Sequence, residues 1–196
     1  MEALRDCVAL TFTQGEVRWG RSLPPAALLV VEDGFVAVRR TAPPALRSYI
    51  VDEVAAGGIL LPPTADDELF GVVASRVRVI SAAALDRLLL DREGARLMWD
   101  ALTLALRRRE EVIASLSNTR HIDRVRETFL RLARDHGKVD AEGIRIDLPL
   151  THELLAEMVC SARETVTRAV DELEREGFVR REGGGYRIVV DAQRLV

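Results

Sequence analysis

Residues 160–179 read CSARETVTRAVDELEREGFV. At about 100° per residue, Val166, Ala169, Val170 and Leu173 fall on one side of a helix, with Ala162 nearby. Glu164, Arg168, Asp171 and Arg175 lie opposite, with Thr167 to one side and Arg163 at the helix mouth. An arginine guanidinium forks onto guanine O6 and N7, and a carboxylate accepts from cytosine N4. Arg163, Glu164 and Arg168 therefore form a set able to read G·C pairs, provided the start of this helix is presented to base edges. Two plainer readings compete. Glu164 and Arg168 have the spacing of a surface ion pair worth a few tenths of a kcal/mol. Ser161 and Glu164 also fit a capping box.

The flanking elements favour presentation. Thr151 is placed to cap a helix over THELLAEMV, whose apolar residues would pack on the Val166 face. Upstream, SNTR offers Ser117 or Asn118 as the cap of another amphipathic helix carrying Ile122, Val125, Phe129 and Leu132, ended by His136-Gly137. IRIDLP reads as a short strand, and FVRREGGGYRIVV as two strands around a triple-glycine turn. Helix, strand, helix, turn, helix, hairpin is the order of a winged helix-turn-helix. In that motif the N-terminal residues of the second helix face the major groove. Thr151, Thr165 and Thr167, near helix starts, and Arg180 and Arg181 on the hairpin suit phosphates, and Arg187 adds a cation to the same hairpin.

The rest of the chain divides in two. CVALTFT, EVRWG, ALLVVEDGFVAVRR and RSYIVDEVA alternate apolar and polar residues between Gly and Pro, and GVVASRVRVIS closes the series with Val73, Val77 and Val79. Asp33-Gly34 between two β-branched runs predicts a hairpin. From Ala82 the period becomes helical, and LMWDALTLAL is apolar on more than one face. Deep burial would explain that pattern. So would a helix that covers the strands on one side and a twin helix of a second copy on the other, through Leu97, Ala101, Leu104, Ala105 and Val112. The expected fold class is α+β: an antiparallel β-roll over 1–92, a dimerisation helix over 93–117 and a winged helix-turn-helix over 118–196.

LTHELLAEMVCSARETVTRAVDELEREGFV resembles the DNA-binding segment of the cyclic-AMP receptor protein (Crp/Fnr) family of bacterial transcription regulators. The family's Arg-Glu-Thr-Val run followed by Arg is matched by Arg163, Glu164, Thr165, Val166 and Arg168. The serine usual before that run is Ala162 here, which shifts the expected cap to Ser161. The resemblance runs more weakly through the whole chain: FTQGEVRWGR and LLVVEDGFVAV look like the opening strands of the family's sensor. It implies a homodimer on palindromic operators, with double-stranded DNA as partner and RNA polymerase as a further candidate.

The family's phosphate-gripping arginine does not appear where the resemblance would put it. That place falls near Ala65, followed by Asp66, Asp67 and Glu68, a carboxylate trio expected to repel a phosphate. Gly57-Gly58 is what remains of the motif. No cyclic-nucleotide control is therefore expected, and the effector is left open. An apolar sensor pocket for another small molecule, or a winged helix that docks protein, are the alternatives.

The composition limits other classes. The 196 residues carry a net charge of −3, so DNA binding must come from local clusters of cations. No apolar run reaches the ~18 residues of a membrane span, and the N-terminus does not read as a signal peptide, so a cytoplasmic location is expected. Cys7 and Cys160 cannot make a four-thiolate site, and His121, His136 and His152 read as surface residues. No metal or cofactor is expected. Cys160 reads as a buried structural thiol rather than a redox switch. No nucleophile–base pair or phosphate loop is visible, which argues against an enzyme.

Overall fold

The computed structural model describes residues 7–42 and 47–189. Residues 1–6, 43–46 and 190–196 lie outside the description, and with them the end of the last expected strand. The strands of the first half are β1 (Ala9–Phe12), β2 (Val17–Trp19), β3 (Leu28–Asp33), β4 (Phe35–Ala42), β5 (Arg47–Ala55), β6 (Ile59–Leu60), β7 (Glu68–Gly71) and β8 (Ser75–Ile80). They form two four-stranded antiparallel sheets, ordered β1-β8-β3-β6 and β2-β7-β4-β5. Inward-facing Leu10, Phe12, Leu29, Val31, Val36, Val38, Leu69 and Val77 fill the space between them.

Asp33-Gly34 is not a hairpin turn. β3 pairs with β6 and β8, and β4 with β5 and β7, so the turn carries the chain from one sheet to the other. Gly34 has φ +85°. A Cβ there would sit 2.3 Å from Ser75 Oγ and 2.4 Å from the Ala74 carbonyl. Ser75 Oγ also accepts from the Phe35 N–H at 3.0 Å, pinning the corner.

Helix α1 (Ala82–Leu90) and helix α2 (Arg92–Leu116) follow, where the sequence period becomes helical. They break at Asp91, whose carboxylate accepts from Gly94 N at 2.8 Å. Gly94 is required by proximity, since a Cβ would meet the Leu88 carbonyl at 2.3 Å. Met98, Ala101 and Ala105 of α2 pack on a second cluster of Leu28, Ile59, Ile80 and Ala84. Arg109 of α2 ties to Asp52 of β5 at 2.5 Å, and burial pushes that carboxyl upward despite the arginine.

Two compact units result, Met1–Glu111 and Val112–Val196, with the division inside α2. The second contains α3 (His121–His136), β9 (Gly137–Asp140), β10 (Gly143–Ile146), α4 (His152–Met158), α5 (Arg163–Arg175), β11 (Val179–Glu182) and β12 (Gly185–Ile188). Its four strands make one sheet, ordered β11-β12-β10-β9. Three of these strands are expected from the sequence; the fourth, GKVD, is too short and polar to alternate. Val125, Phe129, Leu132, Leu155, Val166, Val170 and Leu173 are buried in this unit, with the Phe129 and Tyr186 rings 4.9 Å apart.

Neither Ser117 nor Asn118 caps α3. The residue before α3 is Arg120, without a side-chain cap bond, while Ser117 Oγ donates to Ala114 O. Among the described residues no helix is long and apolar enough to cross a membrane.

Candidate nucleic-acid interface

Helices α4 and α5 are joined by a tight turn. Thr151 Oγ1 accepts from Leu154 N at 3.1 Å, the expected cap of α4. The helix closes at Cys160, the one non-glycine residue with positive φ among those described, at +50°. Ser161 N donates back to Ala156 O at 2.9 Å, satisfying a terminal carbonyl of α4. Cys160 is thus exposed at the turn and is not the buried thiol expected. Crowding around its sulfur still raises the thiol's pKa, against the opposing pull of Arg124.

The capping box does not form either. α5 begins after Ala162, which makes no side-chain cap, because Ser161 Oγ is turned to His121 Nδ1 at 3.1 Å. Val166, Ala169, Val170 and Leu173 are buried as the helical pattern requires. Arg163, Glu164 and Arg168 are exposed and, among the described residues, their side chains make no hydrogen bond or ion pair. The Glu164–Arg168 ion pair that their spacing allows is absent there. Thr165 lies half-buried beside them.

The hairpin that follows closes through Gly183 and Gly184, both at positive φ (+57° and +87°), between the paired residues Glu182 and Gly185. Two central residues of that kind match the right-handed twist of the strands. Adjacent strand residues point to opposite faces, and this divides the cations. Arg180 and Arg187 face each other across the ladder. Their like charges are offset by three carboxylates: Arg187 binds Asp140 at 2.5 Å and Glu182 at 2.7 Å, and Arg180 binds Glu142 at 2.8 Å and Glu182 at 3.0 Å. The Arg187 and Arg180 bonds hold the Glu182 carboxyl down at about 2. Arg187, only 4 % exposed, is a structural ion-pair partner and not a wing cation.

Arg181 faces the helices instead. Its Nη2 lies 3.1 Å from His152 Nε2, and its guanidinium lies 3.5 Å from both Asp171 and Glu174. His152 Nδ1 is 2.8 Å from Thr167 Oγ1, and that hydroxyl donates to Arg163 O at 3.0 Å. His152 therefore joins hairpin and helix and is not the plain surface residue expected. Burial lowers its pKa most, then Arg181; Asp171 opposes both.

The residues 123–196 match the model of the Crp-like helix-turn-helix domain. That segment is a Crp-like helix-turn-helix domain. Over 190 residues, 94 % of this chain and 84 % of the relative, the chain is 26 % identical to the CRP-like cAMP-activated global transcriptional regulator of Mycobacterium tuberculosis. Its fold matches a CRP-family transcriptional regulator from Thermus thermophilus, with a TM-score of 0.76 at 21 % identity over 94 % of this chain and 93 % of that one. It also matches a CooA variant from Carboxydothermus hydrogenoformans, with a TM-score of 0.78 at 18 % identity, 100 % of this chain and 88 % of that one. The chain thus carries a Crp-like helix-turn-helix domain over 123–196 and shares its fold with these two proteins.

In the N-terminal unit the acidic run differs from what its sequence suggests. Asp66, Asp67 and Glu68 are not a bare acidic patch, because each has an arginine from a neighbouring segment. Asp66 pairs with Arg21 at 3.4 Å, Asp67 with Arg40 at 2.7 Å and Glu68 with Arg39 at 3.2 Å. Asp67 also accepts from Thr64 N at 2.9 Å and Thr64 Oγ1 at 2.7 Å. Bare repulsion of a phosphate is therefore not what this segment offers; cations are present, but they are already committed.

Along α2 the residues first grouped as one seam separate. Ala101 and Ala105 belong to the chain's own β-roll contact. Leu97 is 62 % exposed, Trp99 71 % and Ile113 68 %; Leu102, Leu104 and Leu106 are exposed as well, and Val112 is half-buried.

Proposed function

We propose that this regulator acts as a homodimer on palindromic operators, reading bases with Arg163, Glu164 and Arg168 and holding phosphates with Thr151, Thr165, Thr167, Arg180 and Arg181. The observation that carries the reading is the state of those three base-reading side chains. They project from the first turns of an otherwise well-packed helix, without partners among the described residues, while Arg180, Arg181 and Arg187 close by are all ion-paired. Exposed arginine and glutamate at the start of a second helix fit the base edges of the major groove. Arg180 would exchange its carboxylates for phosphate on binding.

The homodimer reading is supported by the exposed apolar run of α2. Leu97, Trp99, Leu102, Leu104 and Leu106 are costly to leave in water; Trp99, Leu102 and Leu106 share one side of the helix, Leu97 and Leu104 the other, and covering either side with the same helix of a second copy lowers that cost. Ala101 and Ala105 drop out of this seam.

Cyclic-nucleotide control is not part of the proposal, although one relative is named as cAMP-activated. Arg21, Arg39 and Arg40 are each bound to a carboxylate of their own chain, so a phosphate would have to displace Asp66, Glu68 or the buried Asp67. A regulator of this kind would work in the cytoplasm, with no catalytic activity of its own. Selecting bound duplexes from a random DNA library with the full-length protein tests the proposal. The expected product is a two-fold sequence with half-sites about one helical turn apart. Recovery of no sequence preference would overturn the reading.

A further inference from the structure

The contacts of His152 can be satisfied in one way only. A guanidinium only donates, so Nε2, 3.1 Å from Arg181 Nη2, must be the acceptor. Nδ1 then carries the ring proton and donates to Thr167 Oγ1 at 2.8 Å, and the Thr167 hydroxyl is left to donate to Arg163 O. This chain from hairpin to recognition helix is complete only while the ring is neutral. A second proton would put an N–H on Nε2, facing a cation.

The charged groups around the ring come from two other elements. Arg181 stands on β11, with the phenol of Tyr186 on β12 bonded to it, and Asp171, Glu174 and Arg163 stand on α5. Burial and the two arginines hold the ring neutral, against the two carboxylates. Asp171 and Glu174 already lie 3.5 Å from Arg181, so they can take it if His152 lets go.

We propose that His152 takes up a proton when the protein binds DNA, so that operator affinity strengthens as the pH falls. The inference rests on the DNA-binding reading above. Thr167 and Arg181 flank the ring, and both are assigned to phosphates. A phosphate drawn to them stands within a Debye length of the ring edge, where its charge is only partly screened. That charge favours the imidazolium, whose Nε2–H becomes a donor to the phosphate. The sign follows. Binding raises the ring's pKa above its lowered free-state value, so the added affinity is full below the free-state pKa and is lost as pH rises through the bound-state one.

The test is the dissociation constant of the full-length protein on its selected operator from pH 5.5 to 8 at fixed ionic strength. It is run for the native protein, His152→Gln and His152→Asn. The native protein should tighten by up to about tenfold per pH unit for each protomer within the window, and both variants should be nearly flat. Nitrogen-15 NMR of the free native protein, which does not depend on the variants folding, should show His152 with its proton on Nδ1. A flat native profile, an undiminished slope in both variants or a proton on Nε2 would each overturn the proposal. No binding to any duplex at any pH would remove the DNA-binding reading itself, and the proposal with it.

Discussion

Asp67 takes both arms of the Arg40 guanidinium, at 2.7 and 2.8 Å, and is itself only 2 % exposed. The Arg40 bonds, with those from Thr64, hold its carboxyl down at about 2. Burial without these donors would push it the other way. The pair locks the segment before β7 onto β4.

Asp67→Asn should destabilise the first unit by roughly 1.5–3 kcal/mol at pH 7, the usual range for hydrogen bonds to a charged group. The folded-state pKa is depressed, so the contribution is fully present above the unfolded value of about 4 and lost as pH falls toward 2. Urea unfolding of both proteins at pH 7 and pH 2.5 checks this. The gap between them should narrow at the lower pH.

Leu104→Asp and Leu106→Asp should weaken self-association, because both side chains are exposed on α2 and a charge at the seam would be buried on pairing. At least one should sediment as a monomer in analytical ultracentrifugation while keeping its folded circular-dichroism signal. That monomer should also lose operator affinity, since the second half-site would no longer be bound through the same linkage. Leu104 and Leu106 lie on opposite sides of α2, so an unchanged dimer in both variants would move the interface off both sides.

Cyclic AMP and cyclic GMP should alter neither the melting temperature nor operator affinity. A ligand that binds only the folded state adds RT ln(1 + [L]/Kd), about 2.7 kcal/mol at a hundredfold excess over Kd. A shift of several degrees at millimolar nucleotide would show that Arg40 or another cation exchanges its carboxylate for the phosphate.

What the sequence made legible was local. The buried stripe of α5 follows from helical spacing, and the strand segments around Val31, Val36 and Val77 follow from alternation. Gly34 does sit in a turn of positive φ. The same local geometry serves a hairpin and a corner between sheets, however, and only the partners of β3 and β4 decide which. Ser161 had a capping residue's chemistry, but His121, forty residues earlier, took its hydroxyl. The acidic run 66–68 looked repulsive because Arg21, Arg39 and Arg40 are distant in sequence. His152 looked ordinary for the same reason: Thr167 and Arg181 reach it only through the fold.

Base reading by α5 is tested most directly at Arg168. Affinities of the native protein and Arg168→Ala should be measured on the selected operator and on variants changed at one base pair at a time. The truncation should cost roughly 1–3 kcal/mol on the operator and erase discrimination at one position of each half-site, leaving the other positions as they were. An equal loss on every duplex, with the pattern of preferences intact, would make Arg168 a phosphate contact and contradict base reading by this helix face.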